Sequence, residues 1–399
     1  MEMGRGRCFD PDHFLGRTAY CEKQENKFMT IANPTLGIPH AGLPPLDLDG
    51  PAFSRFELMN PLLFYAPVLG YALTLMLRHR SITLPTIANP KIFAGGVVGE
   101  HKSQVMDLAG SEAQKWIAPY VAFPVCGASD ERLQQAHNQL KSKGIDFPFV
   151  AKPDSGLRGA GVQMIKDEAA LQSYLDKFPE NHSLVLQALV PFEAEAGIFY
   201  VRKPGAQKGE IFSITLKYAP YIFGDGKSTL KELILADERA AEISDIYLER
   251  HKAELQRVLS PGEAFKLVFA GNHCKGAIFR NGTHLVTDAM LDRFDAISRD
   301  VDEFYFGRFD IRFHSVETLQ RGEDFQIVEI NGTGSEATHI WDRSMTLKEA
   351  YRTLFKQWRI AYEIGAENRK RGFKTTGLFE IFRAWKAELD RGANYPTTM

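Results

Sequence analysis

Apolar positions along the chain change period several times, and each change predicts a different element. DERLQQAHNQLKSKG carries a helical pattern that stops on Gly144. Short runs of strand character flank it: YVAFPV from Tyr120, and DFPFVAKP reaching Lys152 and Pro153. A polar, glycine-containing loop follows, then the strand VQMI, a helix starting at Asp167 and the strand SLVLQAL from Ser183. This alternation predicts a mixed sheet with helices packed on one side. Two further strands, AGIFYVR and EIFSITLKY, flank the turn KPGAQKG. DGKSTLKELI then reads as a helical region entered at Ser228, with Thr229 and Glu232 spaced as a capping box. From Phe265 a strand-rich unit ends in the pair FGRFDIRFHS and DFQIVEINGTGS, and SMTLKEAYRTLFKQWRIAYEIGAENRKRG follows at helical spacing.

The first hundred residues are patterned differently. Residues 1–50 are rich in Gly and Pro and predict an irregular arm. Leu58–Leu77 holds no charge and runs into the basic Arg78–Arg80, long enough for a membrane span. Pro61 and Pro67 crowd its first half and leave about ten uninterrupted helical residues, which favours a buried helix and keeps peripheral membrane contact as the second reading. Ile82–Leu84 and Lys91–Ala94 read as short strands closed by Gly95 and Gly96, giving a small α/β unit over 51–98.

Composition narrows the function. A chain of 399 residues holds one large or two to three modest domains. A formal charge of -2 gives no support for nucleic-acid tracking. Four cysteines without a CxxC pair indicate neither a zinc knuckle nor a disulfide scaffold, and the opening MEMGRGRCFDPDHF has no signal-peptide core, so a cytoplasmic location is expected.

Two constellations carry chemistry. In FVAKPDSGLRGAGV a strand delivers Lys152 to a loop containing Ser155, Gly156, Arg158, Gly159 and Gly161. Glycines let backbone N–H groups approach phosphate oxygens, and a lysine at the strand end adds a point charge. In VEIN, Glu329 and Asn331 share one strand face, and Asp310 with Arg308 lies on the strand expected to pair with it. Asp310, Glu329 and Asn331 form a hard-oxygen set suited to Mg²⁺, with ion pairs to Arg308 and Arg312 as the structural alternative. Phosphoryl transfer needs mainly alignment and charge neutralisation, so this inventory suffices for it.

With these motifs the chain resembles the ATP-grasp superfamily, over about residues 98–350, and within it the D-alanine–D-alanine ligase-like, carboxylate–amine ligase branch. The resemblance implies an α/β and α+β multi-domain chain: two α+β subdomains enclosing the nucleotide, preceded by a small divergent α/β domain. Its expected boundaries are an arm (1–50), the small domain (51–98), a central subdomain (99–192), a C-terminal subdomain with the metal site (193–350) and terminal helices (351–399). It implies ATP contacts from Lys102, Lys152 and the glycine loop, and a base site at Gln187, Ala188 and Val190. The ribose contact falls on Glu195, with Glu193 as alternative. Lys217 and Lys227 fall on a mobile cover, and Mg²⁺ (or Mn²⁺) on Asp310, Glu329 and Asn331. Arg308, Lys152 and Arg158 become the catalytic cations.

NGTGSEATHIWD replaces the proline–glycine turn and serines of D-alanine ligases, so Glu336 and His339 are candidate substrate contacts. GNHCKGAIFRNGTHLVTDA reads as a substrate-facing or structural strand pair, with Lys275 a candidate acceptor-side contact. The implied reaction joins a carboxylate to an amine, such as an amino acid or peptide, through an acyl phosphate, releasing ADP and phosphate. The alternatives are a kinase or carboxylate–thiol ligase, and a nucleotide-binding scaffold or membrane-associated regulator without turnover; a homodimer is compatible with either.

Overall fold

The computed structural model describes residues 35–47, 49–156, 159–269, 271–392, 395 and 396. Most of the expected N-terminal arm, and Arg158, lie outside the described residues.

Four strands, β1 (Tyr120–Pro124), β2 (Phe149–Pro153), β3 (Gln163–Ile165) and β4 (Ser183–Ala188), form a sheet in the order β1-β4-β2-β3. The expected mixed sheet is corrected here, since every pairing in it is antiparallel. Helices Ser129–Ser142 and Glu168–Lys177 bury Ala136, Leu140, Leu171 and Leu175 against Phe123, Phe149, Leu184 and Leu186. Gly144 ends the first helical segment at φ 61°, and Asp167 caps the second by accepting from the Ala170 N–H.

A second antiparallel sheet contains β5 (Ala194–Val201), β6 (Glu210–Tyr218), β9 (Ile278–Asn281), β10 (Phe306–Phe313) and β11 (Phe325–Asn331), in the order β11-β10-β5-β6-β9. A ribbon of β7 (Tyr221–Phe223) and β8 (Ala264–Lys266) stands beside it. Alternation along each strand splits the second sheet into unlike faces. Ile198, Tyr200, Ile214, Phe309 and Ile311 join one apolar cluster with Met290, Phe294 and Ile297 of the helix Asp288–Arg299. On the other face Phe199 and Phe306 cluster with Ile360, Ala361 and Ile364 of the helix Leu347–Lys370. Further along that face the positions are charged: Glu195, Lys217, Arg308, Asp310 and Arg312.

The expected small α/β unit does not form. Residues 82–96 contain no strand; Leu84–Ile87 and Phe93–Gly96 are 3-10 turns. Pro85 follows the first expected strand directly, Pro90 precedes the second, and the chain turns through positive φ at Ala94, Gly95 and Gly96. The segment is instead tied to the second sheet. Buried Asn89 donates to the Phe306 carbonyl at 2.7 Å and accepts from the Tyr305 and Phe306 N–H groups.

Pro61–His79 forms one helix of 19 residues, not the ten-residue piece expected after Pro67. Pro61 occupies the first turn, where its missing N–H has no role, and Asn60 caps that turn. Pro67 lies on the exposed side, so the carbonyl it leaves unbonded is on the solvent-facing half. The buried side is Phe64, Val68, Ala72 and Leu75; the remaining half is exposed, which corrects the expectation of a buried helix.

Candidate functional site

Lys152 reaches from the first sheet to the second. Its Nζ donates to Gln187 Oε1 on neighbouring β4 and to the carbonyl oxygen of Val328 on β11, both at 2.8 Å. Burial pushes its pKa down to about 8, with Glu329 partly opposing that shift. Gln187, expected beside a base, is engaged in this contact and donates to the Ala118 carbonyl at 3.2 Å. Ala188 is half-buried at the end of β4, and Val190 is buried just beyond it.

The short helix Lys102–Asp107 is held against the end of β2 by Asp154. The Asp154 carboxylate accepts from Ser103 N and Ser103 Oγ at 2.8 Å each, and pairs with His101 Nδ1 at 3.2 Å. Burial alone would raise its pKa, but these partners outweigh burial and hold it at about 2. Lys102 Nζ thereby lies 3.3 Å from the Gly156 carbonyl and 3.5 Å from Glu329 Oε1. His101, Ser103 and Asp154 were not anticipated; the dense polar run around Lys102 was the available signal.

On the charged face of the second sheet, Asp310 stands opposite Glu329 on one side and Gly197 on the other. Asp310 Oδ1 accepts from Arg308 Nε at 2.8 Å and pairs with Lys217 at 3.0 Å. Asn331 Nδ2 is 3.3 Å from Asp310 Oδ2. Burial opposes ionisation of Asp310, yet Arg308 and Lys217 hold its carboxyl well below the usual range. Lys217 also pairs with Glu195 at 2.9 Å, and Arg312 approaches Glu195 at 3.9 Å. Lys217 is therefore a buried strand residue and not part of a surface cover, whereas Lys227 is exposed in the turn before the capped helix. Glu193, the alternative to Glu195, is taken by Lys266 at 2.6 Å and Tyr221 at 2.8 Å.

Gly197 supplies the space for this arrangement. A Cβ there would come within 2.8 Å of Arg308 Cδ and 3.2 Å of Asp310 Oδ1. Lys102, Lys152, Lys217, Arg308, Arg312 and Lys266 thus gather around Glu193, Glu195, Asp310 and Glu329, an excess of cations suited to a polyanion. Among the described residues no three His, Cys, Asp or Glu side chains are grouped to hold a metal ion.

The glycine loop is described only in part. Gly159 and Gly161 have φ of 70° and 73°, and Ser155 is buried with Oγ 3.4 Å from Tyr395 Oη. A Cβ at Gly156 would lie 3.3 Å from the Tyr395 ring, so Tyr395 packs against this loop, a contact the sequence did not signal.

Of the candidate substrate contacts, the structure brings Glu336 closest to the cluster: its carbonyl accepts from Arg308 Nη1 at 2.9 Å. The Glu336 carboxylate accepts from Tyr65 Oη at 2.9 Å and Trp341 Nε1 at 3.0 Å, and burial pushes its pKa up. His339 is buried in the turn ending at Asp342, and burial holds its pKa at about 4. Lys275 lies in a 3-10 turn and its carbonyl accepts from Tyr247 Oη at 2.9 Å; of the expected strand pair, Ile278–Asn281 forms a strand but pairs with β6, and Thr283–Leu285 is a 3-10 turn. Half-buried Glu100, also missed, accepts from the Gly332 N–H at 3.2 Å; desolvation pushes its pKa to about 8.

No protein-family model and no curated protein matches the chain. Solved structures do. A bifunctional glutathione synthetase from Pasteurella multocida aligns at 14% identity over 66% of this chain and 38% of its own, with TM-score 0.31. The VanG D-Ala:D-Ser ligase from Enterococcus faecalis aligns at 9% identity over 67% and 64%, with TM-score 0.37. The D-alanine–D-alanine ligase from Bacillus anthracis aligns at 13% identity over 68% and 71%, with TM-score 0.37. By name these neighbours are a glutathione synthetase and two ligases of D-amino acids. The chain spans little more than a third of the glutathione synthetase it matches. At such TM-scores the functional reading rests on the site itself.

Proposed function

We propose that the chain is an ATP-dependent carboxylate–amine ligase of the ATP-grasp type. The observation that carries this reading is the convergence of Lys102 from the short helix, Lys152 from the first sheet and Lys217 and Arg308 from the second on the paired carboxylates Asp310 and Glu329. A triphosphate is the ligand class whose charge matches such a surplus of fixed cations.

Asp310, Glu329 and Asn331 fit Mg²⁺ by donor chemistry, since that ion takes one or two carboxylates and completes its shell from phosphate and water. When bound, Mg²⁺ would neutralise phosphate charge. Lys152 and Lys102 would orient the phosphates, the glycine loop would offer its N–H groups, and Glu195 would face the ribose. Arg308, freed in part from Asp310, would hold the group in transfer. A substrate carboxylate oxygen would attack the γ-phosphorus with ADP leaving. A neutral amine would then attack the acyl carbon, expelling phosphate and losing one proton. Substrates of amino-acid or peptide size are the class tested first, with Glu336 and His339 nearest the acceptor side.

The test is ADP and phosphate release from Mg²⁺-ATP with pooled amino acids and dipeptides, beside Glu329→Gln. Release that requires an amine and vanishes in the variant supports the ligase; release without an amine points to a kinase. ATP binding with no turnover under any mixture would favour a nucleotide-binding scaffold, and no ATP binding at all would reject the site.

A further inference from the structure

The Pro61–His79 helix exposes an uncharged leucine face that the active site does not use. Leu62, Leu69, Leu73 and Leu77 are 81%, 63%, 58% and 80% exposed, and their spacing puts them along one side of the helix. From Pro61 to Leu77 there is no charged residue. A continuous apolar strip of this length is unusual on the surface of a protein surrounded by water alone.

Basic groups flank the helix that carries this strip. Along its Tyr71 side, about half a turn from the leucines, runs a groove of about 950 Å³ lined by Tyr71, Tyr351 and Phe355. The same groove is lined by Lys348, Arg352, Lys356 and Arg359, spaced by about one turn along the helix Leu347–Lys370. At the end of the leucine helix, Arg78, Arg80, Lys203, Arg369 and Lys370 line a second basin, against the acidic Glu363 and Glu367. The chain as a whole carries -2, so this concentration of positive charge is local.

We propose that this face docks on a bilayer containing anionic lipids, with the helix lying in the interface. The leucines enter the boundary between headgroups and acyl chains, and the flanking lysines and arginines meet lipid phosphates and carboxylates. A second copy of the chain would bring the same positive border against its own, whereas an anionic membrane supplies the opposite charge. The helix does not span, because its other side is packed: Phe64 and Val68 cluster with Ile340, Ala350 and Leu354. Tyr65 is also bonded to Glu336. The active site would thus work beside a membrane surface.

The experiment is co-sedimentation of the full chain with phosphatidylcholine vesicles, with and without phosphatidylserine, and extraction of the pellet at high salt and at alkaline pH. Binding is expected to need phosphatidylserine and to reverse in high salt. The double variant Arg352→Glu/Lys356→Glu should weaken it by roughly tenfold or more, and Leu69→Glu/Leu73→Glu should abolish it. All four side chains are exposed, so unchanged circular dichroism and thermal melting confirm that the variants are folded. Equal binding to neutral vesicles, resistance to alkaline extraction, or no vesicle binding would each overturn the proposal. So would a dimer, seen by light scattering, that the leucine variant converts to monomer without vesicle binding in the wild type.

Discussion

Lys152, on β2 of the first sheet, donates from Nζ to the carbonyl oxygen of Val328, on β11 of the second, at 2.8 Å. The two residues are 176 positions apart, and the contact places a buried amine beside Glu329 at the junction of the sheets. Its depressed pKa means the native state binds fewer protons than the unfolded chain between about pH 8 and the ordinary lysine value near 10.5. Wild-type stability relative to Lys152→Met is therefore expected to rise across that interval and to be lowest below pH 8. Urea unfolding of both proteins from pH 7 to 10 measures the difference; a constant gap would contradict the shift. ATP affinity of the wild type, read by calorimetry, should fall as pH rises through about 8, because the ammonium is lost.

Asp154 gives the opposite dependence. Its carboxyl is held at about 2 against 3.8, so its contribution is complete above pH 3.8 and is lost as pH falls through 2. Asp154→Asn should cost about 1–3 kcal/mol at pH 7. The loss should shrink toward pH 2, as followed by denaturant melts. ATP binding should weaken in the same variant, because Asp154 fixes the start of the helix carrying Lys102.

Desolvation of the half-buried Glu100 carboxyl raises its pKa to about 8 from 4.5. Its stabilising contribution is complete below 4.5 and lost as pH rises through 8. Glu100→Gln retains an acceptor for the Gly332 N–H without the ionisation. The variant should gain on the wild type from pH 4.5 to 8 and keep a constant advantage beyond; thermal melts in a buffer series would expose a parallel response as a failure.

Gly197→Ala tests the floor of the charged cluster. The added Cβ would sit 2.8 Å from Arg308 Cδ, so Arg308 must move while the lysines remain. If Arg308 holds the transferring group, turnover should fall by roughly 100-fold, the scale of an ångström misplacement. ATP affinity should change little. Equal loss of both would mean that the substitution damages the fold instead.

The sequence alone determined most of the strands and helices from Tyr120 onward, because their signals are local. The alternation that separates Ile311 from Asp310 and Arg312, the stop at Gly144 and the capping box at Thr229 and Glu232 depend on residues within a few positions of one another. It also marked Lys152, Lys217, Arg308, Asp310 and Glu329 as residues of interest, since charge punctuating a strand-like run is visible without coordinates. Tertiary structure decided what was not local. Residues 82–96 have little with which to pair as strands, and their shape follows from Asn89 binding the backbone at the start of β10, more than two hundred positions away. Sheet direction, the depressed pKa of Lys152 and the gathering of six cations about four carboxylates arise only when separate strands meet and water is excluded. The leucine helix divides the same way: its apolar length is written in the chain, but which half faces solvent was set by packing against residues 340–354.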